Sequence, residues 1–164
     1  MLAWHVGQDL VAFGELRLGV QRIAASHWSA TPTLRSWGGA PLHREGDALY
    51  VPCADGEALW IGAWLEDAAR LATVQMSDLA LGLSATIGVP HDYQLSALGG
   101  RGTPEPLIRP AGQERRTLRL ELKCGRDRAT IDISLLTPHA WTARCGRKAP
   151  ELPDGPPPLP PRLG

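Results

Sequence analysis

Residues 47–64 read DALYVPCADGEALWIGAW, and the interpretation of this stretch decides the fold. Two runs of strand-forming residues flank Ala54-Asp55-Gly56-Glu57, and Asp-Gly between apolar runs is a strong short-range hairpin signal. Pairing around that turn predicts Cys53 opposite Ala58, Val51 opposite Trp60 and Leu49 opposite Gly62. Side chains alternate across a strand. One face of the hairpin therefore carries Leu49, Val51, Cys53, Ala58, Trp60 and Trp64, and the other Tyr50, Pro52, Leu59, Ile61 and Ala63. Both faces are apolar, so the pair needs cover on both sides or a partner for one of them. Pro52 has no N–H for a ladder. A four-residue turn over 54–57 leaves residues 52 and 59 without a mutual hydrogen bond, which accommodates the proline on an edge strand.

Outward from this stretch, further segments alternate. Residues 15–21 put Leu16, Leu18 and Val20 on one face and Glu15, Arg17 and Gln21 on the other, with continuation to Ala24 open. A short strand near Trp4 precedes them, and residues 26–42 read as loop with short extended pieces. Residues 73–76 look extended, Ser77-Asp78 marks a turn, and 79–89 form a strand whose outer face is only Gly, Ser and Thr. Residues 116–136 form a second hairpin with Leu118, Leu120, Leu122, Ile131, Ile133 and Leu135 inward, which sets Glu121 across from Asp132. Residues 65–72 are the one helix candidate, two turns long with acids at its start, and residues 140–145 suggest a last short strand. Short strands with frequent turn signals predict an all-β fold: an antiparallel, jelly-roll-like β-sandwich with at most one short helix. A β-barrel is the alternative. The domain is expected over residues 1–149, followed by a Pro-rich extended tail over 150–164.

Composition fits such a domain. Of 164 residues 43% are hydrophobic, and 18 Gly plus 15 Pro fall short of a disordered composition. The net charge is zero, but residues 1–100 carry −5 and residues 101–164 carry +5. Halves packed in one domain cancel these fields; head-to-tail association of like subunits is the other way to satisfy them. No basic stripe stands alone, so nucleic acid is not an expected partner. The first residues lack the pattern of a secretory signal, and the longest apolar run, 58–65, is too short to span a bilayer. Three unpaired-looking cysteines, Cys53, Cys124 and Cys145, point to a reducing, cytoplasmic setting without membrane association.

No catalytic or metal signature rises from the residue spacing. His5, His27, His43, His91 and His139 form no ligand pair with one another or with cysteine, so neither a metal nor any other cofactor is expected. His91-Asp92-Tyr93 resembles part of a triad, but neighbours in an extended segment point apart, and no Gly-x-Ser-x-Gly elbow supplies a nucleophile. Gly99-Gly100-Arg101-Gly102 lacks the following helix that a phosphate loop uses.

Six tryptophans outnumber the one Phe and two Tyr, and Trp favours wet apolar surfaces. Three functional readings follow. The first is a non-catalytic interaction or structural subunit of a larger assembly or homo-oligomer. It would dock through Tyr50, Pro52, Leu59 and Ile61 of the hairpin and through Pro157, Pro160 and Arg162 of a Pro-x-x-Pro-x-Arg tail. The second is a carbohydrate- or small-ligand-binding module using Trp28 and Trp37. The third is an enzyme with dispersed residues, His91, Asp92 and His139 among them.

Overall fold

A computed structural model of the chain describes residues 3–30, 34–67, 70–100, 102 and 104–158. The strands are β1 (Trp4–Gly7), β2 (Leu10–Phe13), β3 (Leu16–Ala24), β4 (His43–Glu45), β5 (Ala48–Pro52), β6 (Glu57–Leu65) and β7 (Ala72–Asp78). They continue with β8 (Leu83–Val89), β9 (Gln94–Leu95), β10 (Ala97–Leu98), β11 (Glu105–Pro106), β12 (Arg115–Cys124) and β13 (Asp127–Leu136), and helix α1 (Pro138–Cys145) follows. One sheet has the order β1-β2-β3-β6-β9, the other β4-β5-β13-β12-β7-β8, and β10 pairs with β11. The fold is an all-β sandwich with no closed barrel. The second sheet is mixed rather than purely antiparallel, because β5 runs parallel to β13.

The expected hairpin over residues 47–64 does not form. β5 pairs with β4 and β13, whereas β6 pairs with β3 and β9, so residues 53–56 carry the chain from one sheet to the other. The Asp55-Gly56 turn itself is real: Glu57 N–H donates to Ala54 O (3.2 Å), and Gly56 has φ 76. That places the positive φ at the third residue of the turn, as in type II, whose twist does not suit a two-strand hairpin. Nor is Pro52 on an edge strand, since β5 lies one strand in. Cys53 N–H donates to Leu136 O (2.8 Å), so by alternation residue 52 faces the β4 side, where the last paired residue of β5 is Tyr50. The proline occupies the one place on β5 where no N–H is needed.

The two faces expected for the stretch are regrouped, and Trp64, expected on a dry face, is 40% exposed. Leu49, Val51 and Cys53 from β5 and its exit meet Leu59, Ile61 and Ala63 from β6 in the main core between the sheets. Ala58 and Trp60 point out of the first sheet into a second cluster with Ile23, Leu34 and Trp37, against which Trp28 and Leu152 pack. Tyr50 points out of the second sheet onto Trp141 and Leu136. Over residues 49–53 and 57–63 both sides are dry because the chain covers both.

The cover on the second sheet is α1, where a strand was expected. Thr137 caps it by accepting from Ala140 N–H (3.1 Å), Pro138 occupies the first turn, and Gly146 closes it at φ 78. Trp141 is fully buried and donates Nε1–H to Tyr50 O (3.0 Å). At the ends of the helix expected over 65–72 the structure has strand: Leu65 closes β6 and Ala72 opens β7, and residues 68–69 lie outside the described residues. Ser77-Asp78 ends β7 without turning, and the turn comes over residues 79–82, where Asp78 Oδ1 accepts from Leu81 N–H (3.1 Å).

The β12–β13 hairpin forms with a tighter turn than expected. Cys124 pairs with Asp127 around Gly125-Arg126, and Gly125 has φ 61. This two-residue turn shifts the register, so Glu121 faces Thr130 and Asp132 faces Arg119, its ion-pair partner at 3.3 Å. The facing carboxylates therefore do not exist. The charge asymmetry resolves within the chain: Arg109–Asp55, Arg116–Asp78, Arg144–Glu45 and Arg147–Asp9 each join the basic part to the acidic part.

Candidate functional site

At the end of the sandwich where residues 53–56 cross, the inward rows of the strands turn from apolar to charged. On β3, Leu16, Leu18 and Val20 are followed on the same face by Arg22. On β6, Ala63, Ile61 and Leu59 lead back to Glu57. The two meet: Arg22 Nε donates to Glu57 Oε1 (2.7 Å) and Nη2 to Oε2 (3.1 Å), with side-chain exposures of 5% and 1%. In the second sheet Leu118 is followed on its face by Arg116, and Met76 by Asp78. Arg116 Nε donates to Asp78 Oδ2 (3.1 Å); its Nη2 lies 3.0 Å from the same oxygen without hydrogen-bond geometry.

A third buried arginine, Arg109, comes from the loop after β11. It donates Nε–H to Cys53 O (2.9 Å), Nη2–H to Asp55 Oδ1 (2.6 Å) and Nη1–H to Gln113 O. Arg116 Nη1 also donates to Ile108 O (2.8 Å). Three guanidinium groups thus meet three carboxylates, and each also donates to main-chain carbonyls of loops, while Arg116 Nη2 is left without a hydrogen-bond acceptor. A bidentate, planar cation suits this work, because one arginine can hold an acid and a carbonyl together. Cys53 lies among them. Burial raises its thiol pKa to about 11, which keeps it protonated and unreactive.

Arg22 also reaches the start of the tail, through Nη2 to Pro150 O (3.0 Å) and Nη1 to Glu151 O (3.2 Å). From there Leu152 packs on the Trp37–Trp60 cluster, and Arg35 Nη2 donates to Pro157 O (3.2 Å). Residues 150–158 are therefore laid on the outer face of the first sheet. Beside them opens a cleft of about 400 Å³ whose walls include Ile23, His27, Leu34, Trp37 and Pro156. The His27 and Trp37 rings lie 4.9 Å apart, and in the same aromatic cluster the buried Trp60 Nε1–H has no acceptor.

The candidate residues from the sequence fall in unequal places. Trp37 lines the cleft but is only 7% exposed, and Trp28 is half-buried with Nε1–H donated to Ser96 O (3.1 Å). The burial of Trp37 leaves it little surface for a stacked sugar, while Trp28 remains partly exposed. Tyr50, Pro52, Leu59 and Ile61 are buried in the chain's own cores, covered as described above, so they do not form a free surface on this chain. Pro157 is exposed beside Arg35; Pro160 and Arg162 lie outside the described residues. His91, Asp92 and His139 are exposed, the first two in the turn after β8 and the third on α1. Among the described residues no cluster of His, Cys, Asp or Glu could hold a metal ion, and no helix is long and apolar enough to cross a membrane. Comparison with known proteins finds no matching family model, no similar curated protein and no matching solved structure.

Sequence motifs did not reveal the three buried arginines. For two of them strand parity was a signal, since Arg22 and Glu57 continue inward apolar rows, as do Arg116 and Asp78; the loop residue Arg109 carries no such signal.

Proposed function

We propose that this protein is a non-catalytic interaction subunit that docks in a larger protein assembly. The observation that carries the reading is the state of the Pro-rich segment 150–158. It lies on the domain, joins no sheet, bends at Asp154-Gly155, and is held by arginine donors on its carbonyls, with Pro157 and Pro158 exposed. Proline-rich segments serve as recognition elements because proline restricts the backbone and leaves little entropy to lose on binding. The docking role moves accordingly from the hairpin face to the tail and its surroundings. The free thiols of Cys53, Cys124 and Cys145 support a reducing, cytoplasmic compartment.

The test is crosslinking of the tagged full-length chain in its own cells, beside the Leu152→Asp variant that puts a charge into the tail's apolar anchor. Crosslinked species well above twice the chain mass are expected for the wild type, with a different pattern or yield for the variant. Recovery of both chains only at monomer mass would refute the reading.

A further inference from the structure

We infer that the cleft between the first sheet's aromatic cluster and the tail is a binding site for an extended proline-rich segment of a partner protein, which the chain's own residues 150–158 occupy in cis. The inference rests on the interaction reading above and names the ligand class that reading leaves open.

The first support is the polarity of the contacts. Proline residues present carbonyls and no N–H, so a seat for such a segment must donate rather than accept. The side-chain bonds from Arg22 and Arg35 to the tail all do so: to Pro150 O, Glu151 O and Pro157 O. These contacts are addressed to the main chain and suit any segment with carbonyls at those places. The second support is the apolar position. Leu152 packs against the cluster of Ile23, Leu34, Trp37, Ala58 and Trp60, which supplies the aromatic surface that flat, extended ligands use.

The third support is unused capacity. The cleft of about 400 Å³ runs beside Pro156 with Trp37 and His27 on its wall, so the tail in cis does not fill the seat. A partner is favoured over a second copy of this chain, because a copy's tail repeats the same contacts and gains none. In cis the tail acts at an effective concentration in the millimolar range, so the occupied seat is weakened toward outside ligands and not closed to them.

The experiment titrates the full-length chain with the synthetic peptide APELPDGPPP, the sequence of residues 149–158, and follows the indole N–H resonances by NMR. Wild type is compared with Leu152→Asp, which frees the tail and leaves the seat intact; Leu152→Ser replaces it if the aspartate variant loses its folded spectrum. The expected result is saturable binding to the variant at least tenfold tighter than to wild type, with shifts at Trp37 and Trp60. A peptide carrying Asp in place of the leucine should not bind. No binding to the freed chain would overturn the inference and leave the tail as a strap, without touching the crosslinking result. Equal affinity for both chains would overturn it too, since the seat would then not be the one the tail fills. A wild-type dimer in sedimentation that Leu152→Asp abolishes would overturn the partner assignment in favour of a second copy.

Discussion

Replacing Glu57 by Gln keeps the side chain's size and removes its charge. Arg22 then stays buried with no counter-ion, holding only the Pro150 and Glu151 carbonyls. Leaving one member of a buried ion pair alone costs about 3–5 kcal/mol. The tail carbonyls and the remaining amide oxygen keep the cost near the lower end, about 3 kcal/mol. At roughly 2 kcal/mol per molar of urea, the unfolding midpoint should fall by about 1.5 M. The pair should behave as a unit. Arg22→Met with Glu57→Leu removes both charges, and the double variant should cost less than the sum of its single variants, because neither charge is left stranded. Equilibrium urea unfolding of the four chains of this cycle, together with the Glu57→Gln chain, gives every term. A Glu57→Gln chain within 0.5 kcal/mol of wild type would refute the reasoning, as would a strictly additive double variant.

Three further outcomes follow from the same structure. Trp141→Ala removes the fully buried ring and the donor on Tyr50 O, and should cost about 3–5 kcal/mol, read by urea unfolding; a loss under 1 kcal/mol would mean that α1 does not anchor the second sheet. Cys53 keeps its proton in the folded chain to about pH 11 because of burial, whereas the unfolded thiol loses its proton near 9.0. The folded state therefore binds the proton more tightly, and stability is whole below pH 9 and falls between 9 and 11 by up to about 2–3 kcal/mol; Cys53→Ala should flatten that slope in unfolding measured across this range. Gly125→Ala forces a side chain onto φ 61 at the β12–β13 turn and should lower stability by about 1–2 kcal/mol, seen as a lower melting temperature with an unchanged far-ultraviolet spectrum.

How far the sequence could be read depended on which signal a segment carried. Alternation was sufficient for β3, β12 and β13, because one face of each meets the main core and the other is partly wet. It failed to distinguish a hairpin from a crossing between sheets over residues 47–64. Apart from Trp64, which ends up exposed, both arrangements bury the same residues, and the difference lies in the turn: Gly56 stands third in a type II geometry, which local composition does not reveal. Helix α1 was legible in Thr137 before it, Pro138 at its first position and Gly146 after it, but its apolar residues are too few to show a helical period.

The register of β12 and β13 was missed by the length of the turn alone, and with it the true partner of Asp132. At the candidate site, the inward parity of Arg22 and Glu57 was in plain view. Their meeting was not, since it depends on β3 pairing with β6, two strands that 32 residues of loop and other sheet separate. The tail's place was hidden for the same reason: its contacts are made to carbonyls, and carbonyls leave no trace in a sequence.

The seating of residues 150–158 on the first sheet is tested most directly by the indole N–H spectrum of the isotopically labelled full-length chain, wild type against Leu152→Asp. Trp28, Trp37 and Trp60 share the cluster that receives Leu152, whereas Trp4 and Trp141 lie in other cores. Shifts at the first three with the last two unmoved are predicted. An unchanged spectrum, or equal shifts at Trp4 and Trp141, would contradict it.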